Sequence, residues 1–290
     1  MKSFAFLSTA LLMFWAVGIF GGASAQTSAP VIRSFTIEND GLRTAGEIRL
    51  APGTSPQTAV IIVGGSGVRT RADTEQAAPF FMSDAVAVVI YDRRGNGEST
   101  GAFEIPDTAN SAWQMPLFAA DVAQIASYLK RQGFRRVGLL GSSMGAWINV
   151  AAAAMSPEID FIVNFSGAAS SVGVSDAFDR LTDQGLAIEV ATELTRGYDG
   201  EPGYDPAPDL ARVRQPGLWV FGDRDDSNPT TLDREVLDRL ILEDKPFHYI
   251  VLAGADHDFK DLASGQMNMD WVSPVRSFIA GTYRAAGEVE

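Results

Sequence analysis

Two of the 290 residues are histidine and none is cysteine, so few side chains in this chain can exchange a proton near neutral pH. His257 stands in "GADHDF" and His248 in "FHYIVL". Well upstream, "RRVGLLGSSMGAW" sets Gly141 and Gly145 two positions either side of Ser143. That is the G-x-S-x-G spacing, in which a serine occupies a strained turn between a strand and a helix and projects its hydroxyl. Larger side chains at the two glycines would collide with neighbouring backbone. A serine hydroxyl is a weak nucleophile until a base takes its proton, and an imidazole doing so is oriented by a carboxylate. His257 follows an apolar run in loop-like composition and is the predicted base. His248 lies inside that run, on the face shared with Ile250 and Leu252, and is predicted to be a packed or edge residue. In "GLWVFGDRDDSNP" three carboxylates, Asp223, Asp225 and Asp226, follow Val220–Gly222, and spacing does not choose among them. A tetrahedral intermediate also needs two backbone N–H donors: Met144, directly after Ser143, and a residue in the loop after Ile61–Val63, here Gly64-Gly65-Ser66-Gly67. That loop fits neither phosphate-binding template, having no Lys-Ser/Thr after its glycines and no third glycine in G-x-G-x-x-G register.

Positioning these groups requires a scaffold. Apolar, β-branched-rich runs predict strands at 31–37, 45–50, 58–63, 86–91, 136–140, 160–165, 217–221 and 247–252. Between them, "LFAADVAQIASYLKRQ" (117–132) carries Leu117, Val122, Ile125 and Leu129 at helical spacing, and 144–155, 230–242 and 268–285 are further predicted helices. Alternating strands and helices predict the α/β class: a mostly parallel eight-stranded sheet with helices on both faces. Residues 168–214 break the rhythm, with helices expected at 177–181 and 186–194 before "RGYDGEPGYDPAPDL". The stretch reads as an insertion over one end of the sheet, either a small substrate-covering cap or a plain surface excursion.

The N-terminus combines Lys2, an apolar run from Phe4 to Phe20 broken only by Ser8 and Thr9, and a small-residue ending Ala23-Ser24-Ala25. This is the layout of a secretory signal over residues 1–25, cleaved before Gln26, with an uncleaved anchor as the alternative. It implies a secreted or periplasmic protein whose residues 26–290 form one domain. The lack of cysteine excludes disulfides, a thiol nucleophile and thiolate metal ligands. A net charge of −13 argues against nucleic acid, and against a membrane partner once the signal is removed, since both require clustered Lys and Arg.

These motifs, with "DRRGNGES" (Asp92 to Ser99), which matches a D-x-R-G-x-G-x-S turn, make the chain resemble the α/β-hydrolase superfamily. More narrowly it is similar to the serine esterase and serine aminopeptidase-like members. The resemblance spans nearly all of 31–283 and is weakest across 168–214. It implies an α/β-hydrolase fold with a small cap insertion, and no metal or organic cofactor. "GDRD" matches the superfamily's G-x-x-D acid turn, which selects Asp225 over its neighbours. "GGSG" stands where His-Gly-x is frequent, so Ser66 aligns with the second oxyanion donor, Gly64 replacing the histidine. Asp92 and Arg94 carry over as turn-forming residues only.

The expected activity is hydrolysis of carboxylic esters of a small-molecule acyl substrate: Ser143 attacks, His257 and Asp225 manage the proton, and the Ser66 and Met144 N–H groups hold the oxyanion. Trp113, Met115, Phe118 and Trp147 are either an apolar acyl pocket or simply core. The alternatives are an aminopeptidase-like amide hydrolase, which would need a carboxylate such as Glu193, Asp199 or Glu201 for a substrate ammonium, and a non-catalytic binding module on the same fold.

Overall fold

Apolar runs long enough for a strand and too short for a helix can bury both faces only inside a covered sheet, and that is how they fold. The computed structural model describes residues 29–167 and 169–285; the predicted signal segment, 1–25, lies outside the described residues. The strands are β1 (Val31–Asn39), β2 (Leu42–Leu50), β3 (Thr58–Val63), β4 (Val86–Tyr91), β5 (Arg136–Ser142), β6 (Phe161–Phe165), β7 (Gly217–Gly222) and β8 (Phe247–Leu252). They form one sheet in the order β1-β2-β4-β3-β5-β6-β7-β8. The first two run antiparallel, joined by a two-residue Asp40-Gly41 turn with both φ angles positive, and β3 to β8 are mutually parallel. All C-terminal ends of β3 to β8 therefore lie along one edge, where a parallel sheet gathers its functional loops.

The helices are α1 (Arg71–Thr74), α2 (Ala78–Phe81), α3 (Ser111–Arg131), α4 (Met144–Met155), α5 (Val172–Asp183), α6 (Ile188–Thr195), α7 (Ala207–Arg212), α8 (Thr230–Leu242) and α9 (Val272–Ala280). The sheet's period of two splits the core. In β3, Ala59, Ile61 and Val63 join Val122, Ile125 and Leu129 of α3 and Ala146 and Val150 of α4 on one face. Val60 and Ile62 join Phe81 of α2 and Val275, Phe278 and Ile279 of α9 on the other. Each such large side chain contributes about 1.5–3 kcal/mol on burial. Every residue of α4 from Met144 to Ala153 is buried, and its alanines let the helix approach the sheet closely.

The predicted strands all form: β1, β2, β5 and β7 run longer, β3, β4 and β8 match, and β6 begins one residue later. The helices that differ most are α9, which covers only Val272–Ala280 of the predicted 268–285, and α3, which begins at Ser111, six residues before the predicted start, and carries Pro116 inside it. Burial of Gln114, Met115 and Phe118 and the hydrogen bond from Tyr204 N to Ser111 Oγ (3.0 Å) outweigh the donor that proline removes. In 168–214, α5 overruns its predicted core at both ends, α6 begins two residues later and ends one later than predicted, and α7 adds a turn the Pro-rich composition concealed. Among the described residues no helix is long and apolar enough to cross a membrane.

Candidate active site

Ser143 separates the last strand residue of β5 from the first helical residue of α4, at φ 50° and ψ −122°, a conformation that costs a non-glycine residue about 1–3 kcal/mol. The crowding around it explains the flanking glycines. A Cβ on Gly145 would lie 2.1 Å from Val63 O and 2.9 Å from Gly64 O, and one on Gly141 would lie 2.5 Å from Gly145 O. The turn is held by Ser143 N, which donates to Phe165 O at 2.8 Å.

One residue further along β6's end, Ser166 Oγ donates to the backbone oxygen of His257 at 2.7 Å. Ser143 and the His257 loop thus hang on consecutive residues, Phe165 and Ser166. The ring of His257 meets Asp225 through Nδ1, 2.9 Å from Oδ2 and 3.0 Å from Oδ1. Asp225 is 1% exposed and also accepts Ser227 N (2.9 Å) and Asn228 N (2.8 Å). Its neighbours do other work: Asp223 Oδ1 caps Gly254 N at 2.6 Å, and Asp226 is exposed. Burial by itself pushes the His257 ring down; the charge and hydrogen bond of Asp225, with Asp258 and Asp226 behind it, outweigh that and raise it to about 9. Among the described residues no hydrogen bond joins Ser143 Oγ to the ring, a contact that commonly tightens only with substrate bound. His248 is an edge residue on β8, its ring 5.4 Å from that of Tyr283.

The loop after β3 closes over the serine: a Cβ on Gly65 would lie 3.5 Å from Ser143 Cβ and 3.3 Å from Ser142 O. Met144 begins α4, so its N–H has no intrahelical acceptor, and Ser66 N donates to no described protein group. Arg93 explains how the loop is turned. Only 2% exposed, its guanidinium donates to Gly65 O (2.8 Å), to Gly67 O (3.0 Å) and to Gly64 O, and it lies 5.9 Å and 5.6 Å from the ring centroids of Phe103 and Phe118. Burial lowers this guanidinium to about 10. One buried side chain thus holds three carbonyls of the loop. Sequence reading missed Arg93 because it fills a variable position of D-x-R-G-x-G-x-S. The matched residues behave as turn formers: Asp92 accepts Arg71 N (2.7 Å) and Glu98 N (2.9 Å), and Arg94 forks onto Asp121 at 2.9 and 2.6 Å.

Of the aromatic and apolar candidates, Met115 and Phe118 are core, Trp147 is buried with Nε1 donating to Ser170 O at 2.9 Å, and Trp113 is exposed. Glu193 pairs with Arg196 at 3.2 Å, and Asp199 and Glu201 are exposed. Among the described residues no group of three or more His, Asp or Glu side chains has the arrangement of a metal site.

Known structures share this architecture. An esterase of Pyrococcus furiosus superposes with a TM-score of 0.65 over 91% of this chain and 95% of its own, at 16% identity. E-2-(acetamidomethylene)succinate hydrolase gives 0.58 over 86% of this chain and 100% of its own, at 17% identity. A puromycin-hydrolyzing peptidase of Mycobacterium tuberculosis gives 0.64 over 88% of this chain but only 40% of its own, at 18% identity. No curated protein matches the chain. At the level of sequence, the model of the prolyl oligopeptidase family matches residues 73–284, from just after the loop that follows β3 to beyond α9. The chain is an α/β-hydrolase-superfamily hydrolase and belongs to the prolyl oligopeptidase family.

Proposed function

We propose that the protein hydrolyses carboxylic esters through an acyl-enzyme on Ser143. The observation that carries this reading is the suspension of the strained Ser143 turn and the His257–Asp225 pair from adjacent residues at the end of β6. His257 Nε2 accepts the Ser143 proton as Oγ bonds to the acyl carbon, and the Ser66 and Met144 N–H groups receive the charge that develops on the carbonyl oxygen. The ring then returns the proton to the departing alkoxide. Water, deprotonated by the same nitrogen, attacks the acyl carbon, and the Ser143–acyl bond breaks with the proton going back to Oγ. The three residues need no metal or organic cofactor for either half-reaction.

The amide-hydrolysing reading has its own support. The site's proton-handling side is acidic, with Asp179, Asp226 and Asp258 all close enough to His257 to perturb its charge, and such an edge suits a substrate that carries an ammonium. Purified residues 26–290 assayed on p-nitrophenyl esters of graded length beside aminoacyl amides separate the two. Labelling with a fluorophosphonate tests the nucleophile: Ser143→Ala abolishes it, and undiminished labelling of that variant would end the assignment. Tight retention of a ligand with no product over hours would mark a binding module instead. Export is part of the same proposal and predicts Gln26 as the mature N-terminus, readable by mass spectrometry.

A further inference from the structure

We propose that Asn228 is a positioning residue of the His257–Asp225 pair and that Ser175 on α5 fixes its orientation, so that the helical excursion after β6 is wired to proton transfer. This rests on the reading of His257 as the base.

Asn228 is 5% exposed and every polar atom of its side chain is engaged. Its Nδ2 donates to Ser166 O at 2.9 Å and lies 3.3 Å from His257 Nδ1, while its Oδ1 accepts from Ser175 Oγ at 2.5 Å. The orientation follows from chemistry: only the NH2 end can face a carbonyl oxygen, so the amide oxygen must face α5, and Ser175 must donate to it. The backbone N of Asn228 adds a 2.8 Å bond to Asp225 Oδ1. One residue thus touches the acid, the ring nitrogen bonded to that acid, the strand end that carries Ser143 and His257, and the excursion.

The consequence lies at Nδ1. An NH2 group cannot accept a proton, so the Nδ1–H has Asp225 as its acceptor and no competitor on the Asn228 side. Asp225 therefore sets the tautomer with Nε2 bare for the serine proton, and the amide leaves that bond undisputed. The positive end of the amide also faces the ring, opposing the imidazolium that the surrounding acids favour. Those acids are Asp225 and Asp226 after β7, Asp258 beside His257, and Asp179 on α5. Removing the amide therefore releases Ser166, whose hydroxyl holds the His257 backbone, and leaves the acids less opposed.

The test uses Asn228→Ala, Ser175→Ala and the double variant. Steady-state ester kinetics across pH are read beside NMR titration of the two histidine rings, with His248 as internal reference. Asn228→Ala is expected to lower kcat by about 10- to 100-fold with KM within about twofold, and to move the His257 midpoint to higher pH. Ser175→Ala moves both in the same direction by less, and adding it to Asn228→Ala changes neither further, because the hydroxyl acts through the amide. An unchanged His257 midpoint in a folded Asn228→Ala protein, or additive losses in the double variant, would overturn the proposal. Should Asn228→Ala fail to fold, the His257 midpoint and kcat of Ser175→Ala decide alone, and no change in either overturns it. The titration is independent of turnover, so a Ser143→Ala protein that still hydrolyses esters defeats the functional reading while leaving the Asn228 result to stand or fall by its own readout.

Discussion

Replacing Arg93 by methionine tests how the loop after β3 is preorganised. The guanidinium holds Gly64, Gly65 and Gly67 through their carbonyl oxygens, and methionine fills comparable apolar space between Phe103 and Phe118 without offering a donor. A hydrogen bond to a charged group contributes about 1.5–3 kcal/mol, so three of them represent about 4.5–9 kcal/mol gross. Removing a buried cation returns several kcal/mol of desolvation, as its lowered proton affinity already indicates, leaving a net loss of about 2–4 kcal/mol. The larger effect falls on rate. Once released, the three carbonyls turn toward other partners and carry the loop's N–H groups out of alignment, removing one oxyanion donor, which typically costs about 10²–10³ in kcat. Denaturant unfolding and burst-phase acylation with p-nitrophenyl acetate measure the two quantities separately. Arg93→Lys places one ammonium where a fork spanned three acceptors, and recovers stability better than rate. An Arg93→Met protein that unfolds at a lower midpoint yet acylates at the wild-type rate would refute the link between this side chain and catalysis.

Other outcomes follow from the same geometry. Because only a neutral ring can take the serine proton and His257 is raised to about 9, kcat/KM should climb with pH into the alkaline range. Asp225→Asn removes the strongest raising partner, so the midpoint should move down while kcat falls by about 10⁴; a pH–rate series on both proteins checks the sign. Gly145→Ala forces a methyl against Val63 O and Gly64 O, both backbone, and is expected to cost about 3 kcal/mol or more together with most activity, measurable by thermal melting and ester turnover. Asp233 on α8 is 1% exposed and receives Ser170 N at 2.8 Å and Ser170 Oγ at 2.6 Å, yet burial raises its carboxyl from 3.8 to about 6. The folded state therefore binds the proton more tightly than the unfolded chain, and ionising it withdraws stability as pH rises from about 4 to above 6, on the order of 3 kcal/mol in full. Asp233→Asn keeps the acceptor and lacks the charge, so its melting point should exceed wild type at pH 8 and the gap should close near pH 4.

Much of this protein was written locally. Strands whose apolar runs are bounded by turn residues, such as Thr58–Val63, Val86–Tyr91 and Gly217–Gly222, declare themselves because burial on both faces of a parallel sheet demands unbroken apolar sequence. The glycines around Ser143 declare themselves because a strained turn admits no other residue at those positions. Where sequence-based expectation fell short, non-local contacts decided. The start of α3 depends on a tyrosine backbone 93 residues away, and nothing near Pro116 reveals it.

The chain by itself therefore determined the candidate residues for the chemistry and the order of the elements that present them, since hydrophobic period and turn composition are properties of short segments. Choosing among Asp223, Asp225 and Asp226 by geometry, turning the glycine loop with Arg93 and placing Asn228 between Ser175 and His257 belonged to the tertiary structure alone. Those relations are distances between side chains on separate strands and helices, fixed only when the two cores close on the sheet and bring their ends to one edge.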